Sequence, residues 1–268
     1  MPALEAVLAD IKQAGVDEII CLGDVANVGP HPAECLDVIR DLGCVTLQGN
    51  HELYLLADGL PDDWQICPTW SPVRWTMAQL RPEHYKFMAD LPFAYDLPAN
   101  GRAPATFVHA SLRDQYWGFA AEDTVAETAV RMNGRDNLTL FCAHTHRPLY
   151  RLWSNSIIIN IGSVGMPLDG TPEAKYVIAT RDKANWNVEF RHVSYNVEHV
   201  MQAFESQGLQ AAGGVISGIF RYQMLTGKPT ALSYITRLRQ LAQERNVPVG
   251  DVYAEMSAPD CVRPFLDK

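Results

Sequence analysis

Apolar residues recur at Leu4, Val7, Leu8 and Ile11, the three-to-four spacing of one helix face, and Gly15 stops the run. A helix is therefore expected over residues 4–13. Residues 18–22 (Glu-Ile-Ile-Cys-Leu) are almost wholly apolar, the pattern of a strand covered on both faces, and end at Gly23-Asp24. Helical spacing returns over 32–42, with Pro32 in the first turn and Gly43 closing it. Residues 44–47 read as a second strand, ending at Gly49-Asn50-His51. The order helix, strand, helix, strand implies parallel strands joined by crossover helices.

Residues 53–91 read as helical, punctuated by Pro61, Pro68, Pro72 and Pro82, with Trp64, Trp70 and Trp75 packing beneath. Strands are expected over 93–97 and 106–109, then a helix over 122–132. Five more strands follow at 138–142, 149–153, 156–161, 176–180 and 188–193. Short turns link the last three, which reads as an antiparallel sheet. From Asn196 the chain turns helical, over 197–207, 213–225, 231–245 and 249–256. With no repeat, low-complexity tract or linker, the expectation is one α/β domain over 1–195. A helical C-terminal extension, 196–268, packs on that same domain.

Composition narrows the function classes. The chain has 268 residues, 47% hydrophobic and 20% charged, as in soluble globular proteins. No apolar run approaches the ~20 residues of a membrane helix, so no membrane partner is expected. The net charge is −9, with no block of Lys and Arg. Duplex nucleic acid is therefore not an expected partner, because such binders neutralise phosphates with basic side chains. A small phosphorylated substrate stays open if bound metal ions supply the positive charge. The six cysteines form no C-x-x-C pair, and no signal peptide is visible at Met1. That combination places free thiols in a reducing cytoplasm. The oligomeric state is not legible.

Metal-capable side chains cluster where strands end: Asp24 after the first, Asn50 and His51 after the second, His109 after a third, His144 and His146 after a fourth. Side chains just beyond the carboxyl ends of strands converge on the ligand crevice of α/β sheets. Taken singly, Gly23-Asp24 reads as a turn and His109 as a core histidine. His144-Thr-His146 is stronger, because positions i and i+2 of a strand point to the same side. Together these residues make a nitrogen and oxygen donor set without thiolate, suited to Mn²⁺, Fe or Zn²⁺.

Four blocks then appear in order: Gly-Asp-Val-Ala-Asn-Val-Gly (23–29), Gly-Asn-His-Glu (49–52), Val-His-Ala-Ser (108–111) and Ala-His-Thr-His (143–146). With Asn-Ile-Gly-Ser-Val-Gly (160–165), they resemble the calcineurin-like metallophosphoesterases, most closely their small bacterial phosphodiesterase branch, over residues 1–193. The resemblance implies a four-layer α/β/β/α sandwich of two mixed β-sheets flanked by helices. It also implies two divalent metal ions, Mn²⁺ foremost, and hydrolysis of a small phosphomonoester, phosphodiester or nucleotide by metal-activated water. Asp24 would bridge the ions; Asn50, His109 and His144 would complete the second, and His146 would serve the first. His51 would hold the phosphate and protonate the leaving oxygen, a role suited to an unperturbed pKa of ~6.5.

Two departures from the family pattern matter. Ala143 replaces the Gly before His-x-His, and no D-x-H block precedes Asp24. In relatives that block ends a central strand and runs directly into a helix like that of residues 2–8. The expectation is that the sequence begins late, at an internal Met, leaving the first ion only Asp24 and His146. One metal should then bind well and a second weakly. A competing reading is a degenerate phosphoesterase fold that binds a nucleotide or protein partner without turnover. A third is a nuclease, disfavoured by the acidic charge, or a protein phosphatase, for which nothing in the sequence identifies a peptide groove. After His109, Arg113, Tyr116 and Trp117 either line a pocket, with Arg on a second phosphate and aromatics on a base, or form a lid packed on itself.

Overall fold

A computed structural model describes residues 1–266. Helix α1 (Pro2–Ala14) opens on a proline, which suits a first turn, and is closed by Gly15 at φ 66°. Strand β1 (Ile20–Cys21), helix α2 (Pro32–Leu42) and strand β2 (Val45–Thr46) follow, with β1 and β2 paired in parallel. Both strands are shorter than their apolar runs, because each has only the other as hydrogen-bonded neighbour. Helices α3 (Asn50–Leu55), α4 (Ser71–Gln79) and α5 (Pro82–Ala89) occupy the stretch between prolines.

Strands β3 (Ala94–Leu97) and β4 (Ala105–Val108), helix α6 (Val125–Met132), and strands β5 (Thr139–Cys142), β6 (Leu149–Trp153) and β7 (Ser156–Asn160) come next. They form a five-stranded mixed sheet in the order β3-β4-β5-β7-β6. Its centre, β4, β5 and β7, is parallel, and the edges β3 and β6 are antiparallel. Strands β8 (Ala174–Arg181) and β9 (Trp186–Val193) make a separate antiparallel hairpin. Here the expected grouping of the last three strands is corrected. β7 lies between β5 and β6, and residues 161–173 carry the chain across to the other layer. The reason is burial on both faces: Ile158 packs on one side of β7 and Ile159 on the other, so β7 belongs in a sheet centre.

The period-2 alternation of the central strands builds the layers. Leu140, Cys142, Val108 and Ile158 face Met132 of α6. Ala105, Phe107, Phe141 and Ile159 face inward, against Leu22, Leu47 and the inner side of β8–β9. Phe107 and Phe141 stack with centroids 4.9 Å apart, and Trp186 of β9 meets Phe141 edge-on at 5.4 Å. On the outside of the hairpin, Ala3 and Val7 of α1 cover Ala174 and Tyr176. The architecture is thus a four-layer α/β/β/α sandwich whose second sheet layer is in two pieces, β1–β2 and β8–β9. Between β1 and β8 runs an apolar slot of about 350 Å³, lined by Val7, Leu8, Ile20, Leu22, Tyr176 and Ile178. Among the described residues, neither β1 nor β8 has a strand partner on its second edge.

Helices α7 (Val197–Ser206), α8 (Leu209–Thr226), α9 (Thr230–Arg245), α10 (Val249–Met256) and α11 (Pro259–Leu266) complete the described chain. Gly214, at φ 55° and ψ −132°, breaks α8. Ile216, Ile219, Tyr234, Leu238 and Val252 form the core these helices share. α11 was not anticipated, since Pro264 lies inside it. Among the described residues, no helix is long and apolar enough to cross a membrane.

Candidate metal centre

The loop after β1 and the loop after β2 approach so closely that only glycine fits at the contact. A Cβ on Gly23, which sits at φ +91°, would lie 2.6 Å from the Gly49 nitrogen. A Cβ on Gly49 would lie 2.2 Å from Oδ1 of Asp24. That oxygen accepts the His51 backbone N–H at 2.8 Å, so the carboxylate joins the two loops. Asp24 itself is held in the left-handed region at φ 54°, the kind of backbone strain that persists where surrounding contacts over-determine it.

Glu52, fully buried, completes the clamp. Its carboxylate accepts the backbone N–H groups of Asp24, Val25 and Gly49, each at 2.8 Å. Burial and the neighbouring Asp24 carboxylate push Glu52 above the usual carboxylate range, while these N–H groups pull it back. Sequence reasoning quoted Glu52 within Gly-Asn-His-Glu but gave it no role. The available signal was its place three residues after the helix N-cap, from which a Glu reaches back to backbone N–H groups.

The other two loops supply histidines. His109 ends β4 and donates Nδ1–H to the Leu22 carbonyl at 2.7 Å, which turns Nε2 toward the site. His144 and His146 follow β5 in left-handed conformations, at φ 63° and 57°. They are loop residues and not the strand pair expected, because β5 stops at Cys142. Asn160, buried at the end of β7, pins their loop by donating its amide to the Ala143 carbonyl and the Thr145 hydroxyl. His146 donates Nδ1–H to the Met166 carbonyl at 2.6 Å, leaving Nε2 as its free lone pair.

These loops bring Asp24 Oδ2, Asn50 Oδ1, His109 Nε2 and His144 Nδ1 together. His109 Nε2 lies 3.2 Å from Asp24 Oδ2, 3.1 Å from Asn50 Oδ1 and 3.3 Å from His144 Nδ1. His144 Nδ1 lies 2.9 Å from Asn50 Oδ1. Asp24, His109 and His144 alone already place three ligand atoms within 4.8 Å of one another. A neutral His109 aims only a lone pair at these oxygens, so one cation satisfies the whole set. Nitrogen and oxygen donors without thiolate fit a divalent first-row ion. Burial works against the Asp24 carboxylate, but His109, His51 and His144 outweigh it and hold it well below the usual range. Burial lowers His144 to about 3 and His146 to about 4, so both rings are neutral at pH 7.

His51 stands beside this set, with Nε2 3.9 Å from Asp24 Oδ2 and its side chain 24% exposed. Tyr54, one turn further along α3, hydrogen-bonds Asn50 and lies 5.8 Å from the His51 ring. Tyr116 reaches the site through Tyr54, ring centroids 5.9 Å apart. Arg113 does not join the cluster; its exposed guanidinium lies 3.7 Å from Asp114. Trp117 is exposed, with Arg131 over its ring at 6.0 Å.

This donor set suits a divalent metal ion, and comparison with known proteins gives the family. Residues 1–184 match the calcineurin-like phosphoesterase superfamily domain, and the chain belongs to that family. It is 30% identical over 214 residues to an uncharacterized protein of Methanocaldococcus jannaschii, spanning 74% of this chain and 84% of that one. It is also 30% identical over 142 residues to a symmetrical bis(5′-nucleosyl)-tetraphosphatase of Thioalkalivibrio sulfidiphilus, 51% of this chain and 50% of the relative. A metallophosphoesterase structure from Sphaerobacter thermophilus superposes with a TM-score of 0.62 at 30% identity, covering 79% of this chain and 93% of that one. A hypothetical protein from Pyrococcus horikoshii OT3 superposes at 0.67 with 18% identity, covering 84% and 93%, a likeness of fold alone.

Proposed function

We propose that the protein is a metal-dependent phosphoesterase that hydrolyses a small phosphorylated substrate, with Mn²⁺ as its metal. The observation that carries this is the convergence of Asp24, Asn50, His109 and His144 from four separate loops on one point. These four residues would hold one ion, and Asp24 with His146 would face a second. A pair of divalent ions supplies positive charge for the phosphoryl oxygens and a water acidified into a nucleophile. His51 is free of the ligand set, so its ring hydrogen-bonds the phosphate and gives its proton to the leaving oxygen. Asn50 contributes an oxygen donor without a further negative charge, which a phosphate approaching the site would meet as repulsion. Tyr116, beside Tyr54, stacks on the leaving group, and Arg113 pairs with a second phosphate if the loop after His109 turns inward. A relative named as a dinucleoside tetraphosphatase places dinucleoside polyphosphates among the substrates to test. Six free cysteines suit a reducing cytoplasm.

The second ion has too few ligands for tight binding, and the slot between β1 and β8 supports an explanation. Its two unpaired strand edges and apolar walls suit one more strand, and its mouth opens on His51, His109, His144 and His146. A strand seated there and ending in D-x-H would deliver a carboxylate and an imidazole to that ion. The test compares the 268-residue chain with one extended by an added N-terminal strand ending in D-x-H, using p-nitrophenyl phosphodiester and monoester reporters with Mn²⁺. The extended chain should be at least about a hundredfold faster, since each ~1.4 kcal/mol of lost transition-state stabilisation is tenfold in rate. Equal rates would remove the strand from the proposal. An extended chain that binds metal yet turns nothing over would favour the non-catalytic binding fold.

A further inference from the structure

Lys175, the second residue of β8, is 1% exposed and takes no part in the proposed chemistry. A buried ammonium persists only where acceptors surround it. Its acceptors all come from the connection between β7 and β8. Nζ lies 2.8 Å from Asp169 Oδ1, and it donates to the Thr171 carbonyl at 3.0 Å and to the Thr171 hydroxyl. The Lys175 backbone N–H closes the same connection by donating to the Ser163 carbonyl at 2.9 Å.

That connection grips His146 on two sides. The Met166 carbonyl accepts the ring Nδ1–H, and the Leu168 N–H donates to the His146 carbonyl at 3.2 Å. Ser163 Oγ in turn accepts the Met166 N–H at 3.1 Å. The C-terminal helices buttress it from outside. Gly170 donates to the Gly227 carbonyl at 2.9 Å, and a Cβ on Gly227 would lie 2.3 Å from the Thr171 carbonyl oxygen. Met166 packs against Val200, Phe204 and Met224 of α7 and α8.

We infer that Lys175 is a positioning residue for His146. Its ammonium gathers Asp169 and Thr171, which fixes the Met166 and Leu168 backbone groups that set the tautomer and direction of the imidazole. The inference rests on the proposed reading of His146 as a metal ligand only for its consequence in metal binding; the orientation of the ring stands apart from it. Ring orientation by outer hydrogen-bond partners is worth about 10–100-fold in metal affinity.

The experiment uses the full chain in two variants, Lys175→Met and Asp169→Asn. The second keeps the ammonium and nearly the same shape, so it reports even if the first folds poorly. In metal-free protein, the His146 ring N–H is followed by ¹⁵N NMR, and Mn²⁺ is then titrated in. Both variants should lose or broaden the ring N–H signal, which His146→Ala assigns. They should weaken the looser ion about tenfold or more while leaving the tighter one within about twofold. A wild-type ring signal in both variants overturns the inference. So does a parallel loss of both ions that tracks the folded fraction, because Lys175 would then serve stability alone. If the ring signal vanishes in the variants while His146→Ala leaves Mn²⁺ binding untouched, the metal role of His146 fails and the positioning of its ring stands.

Discussion

Asp24 Oδ2 and His109 Nε2 lie 3.2 Å apart, and the carbonyl that orients the His109 ring belongs to Leu22, two residues before Asp24. The same short segment after β1 therefore supplies both the carboxylate and the partner that aims the imidazole at it. Burial disfavours a charged His109, yet the facing Asp24 outweighs it and raises the ring above its ordinary value. A proton on that ring and a metal ion would therefore compete for the same place.

A pH dependence of metal binding follows. The ion needs neutral His109, so below the raised value a proton competes with it. His144, lowered to about 3, releases no proton on binding near neutrality. Mn²⁺ affinity should fall with decreasing pH, approaching about tenfold per unit below the His109 titration, and should level off above it. Titration calorimetry in two buffers of different ionisation enthalpy should find about one proton released per tight ion below that point. An affinity unchanged between pH 5 and 8 would contradict the ligand assignment of His109.

The proposed division of labour separates two histidines by experiment. His144→Ala removes a member of the converging set, so tight metal content and activity should fall together. His51→Ala leaves that set intact and should lower kcat by about a hundredfold or more, the usual worth of a general acid, with metal content nearly unchanged. Metal analysis beside reporter kinetics decides it. Metal loss in His51→Ala as deep as in His144→Ala would move His51 into the ligand shell.

How much of this was legible depended on distance along the chain. The central strands β4, β5 and β7 declared themselves by alternating between two buried faces. Asp24, Asn50, His109 and His144 could be expected together because each lies just beyond a strand, after β1, β2, β4 and β5 in turn. The crossing from β7 to β8 was not legible, since hairpin spacing and a layer change leave similar apolar runs. Nor was the backbone of His144 and His146: left-handed φ is imposed by Asn160 and the neighbouring loops, not by local preference. Lys175 lies one residue before the strand expected over 176–180 and carried no signal, because its acceptors Asp169 and Thr171 matter only once the connection has closed around it.

Away from the site, Asp37 gives an acid-stability prediction. Arg81 Nη2 donates to both its oxygens at 2.8 Å, and fully buried His84 meets it at 3.1 Å, tying α2 to α5. Arg81 first and His84 next lower Asp37 to about 2. The unfolded value is ~3.9, so the unfolded chain binds more protons across that window. The contribution is fully present above ~4 and is lost as pH falls toward ~2. Urea midpoints of wild type and Asp37→Asn should differ by a constant amount at higher pH, about 1 kcal/mol or less for so exposed a pair, and converge at low pH. A gap that widens on acidification would show the ion pair is not what stabilises α2 against α5.

The two glycines at the loop contact should fail differently when substituted. Gly23 sits at φ +91°, and its Cβ would meet backbone, the Gly49 nitrogen at 2.6 Å and the Leu47 oxygen at 2.8 Å. Neither obstacle can rotate away, and the dihedral is itself unfavourable for an L side chain. Gly23→Ala should therefore cost about 2 kcal/mol or more of global stability, read from denaturant midpoints. Gly49 has an ordinary φ of −93°, but its Cβ would meet Oδ1 of Asp24 at 2.2 Å and the Asp24 backbone nitrogen at 2.8 Å. The carboxylate moves by turning its χ angles, at a cost of about 1 kcal/mol, which breaks the bond to the His51 N–H and draws Oδ2 from His109, whereas the backbone nitrogen cannot rotate away. Gly49→Ala should thus cost about 1–2 kcal/mol of stability without the dihedral penalty of Gly23→Ala, and the folded protein should lose tight Mn²⁺ binding. A Gly49→Ala protein with wild-type metal affinity would mean that the Asp24 carboxylate does not need its contact with the second loop to hold the ion.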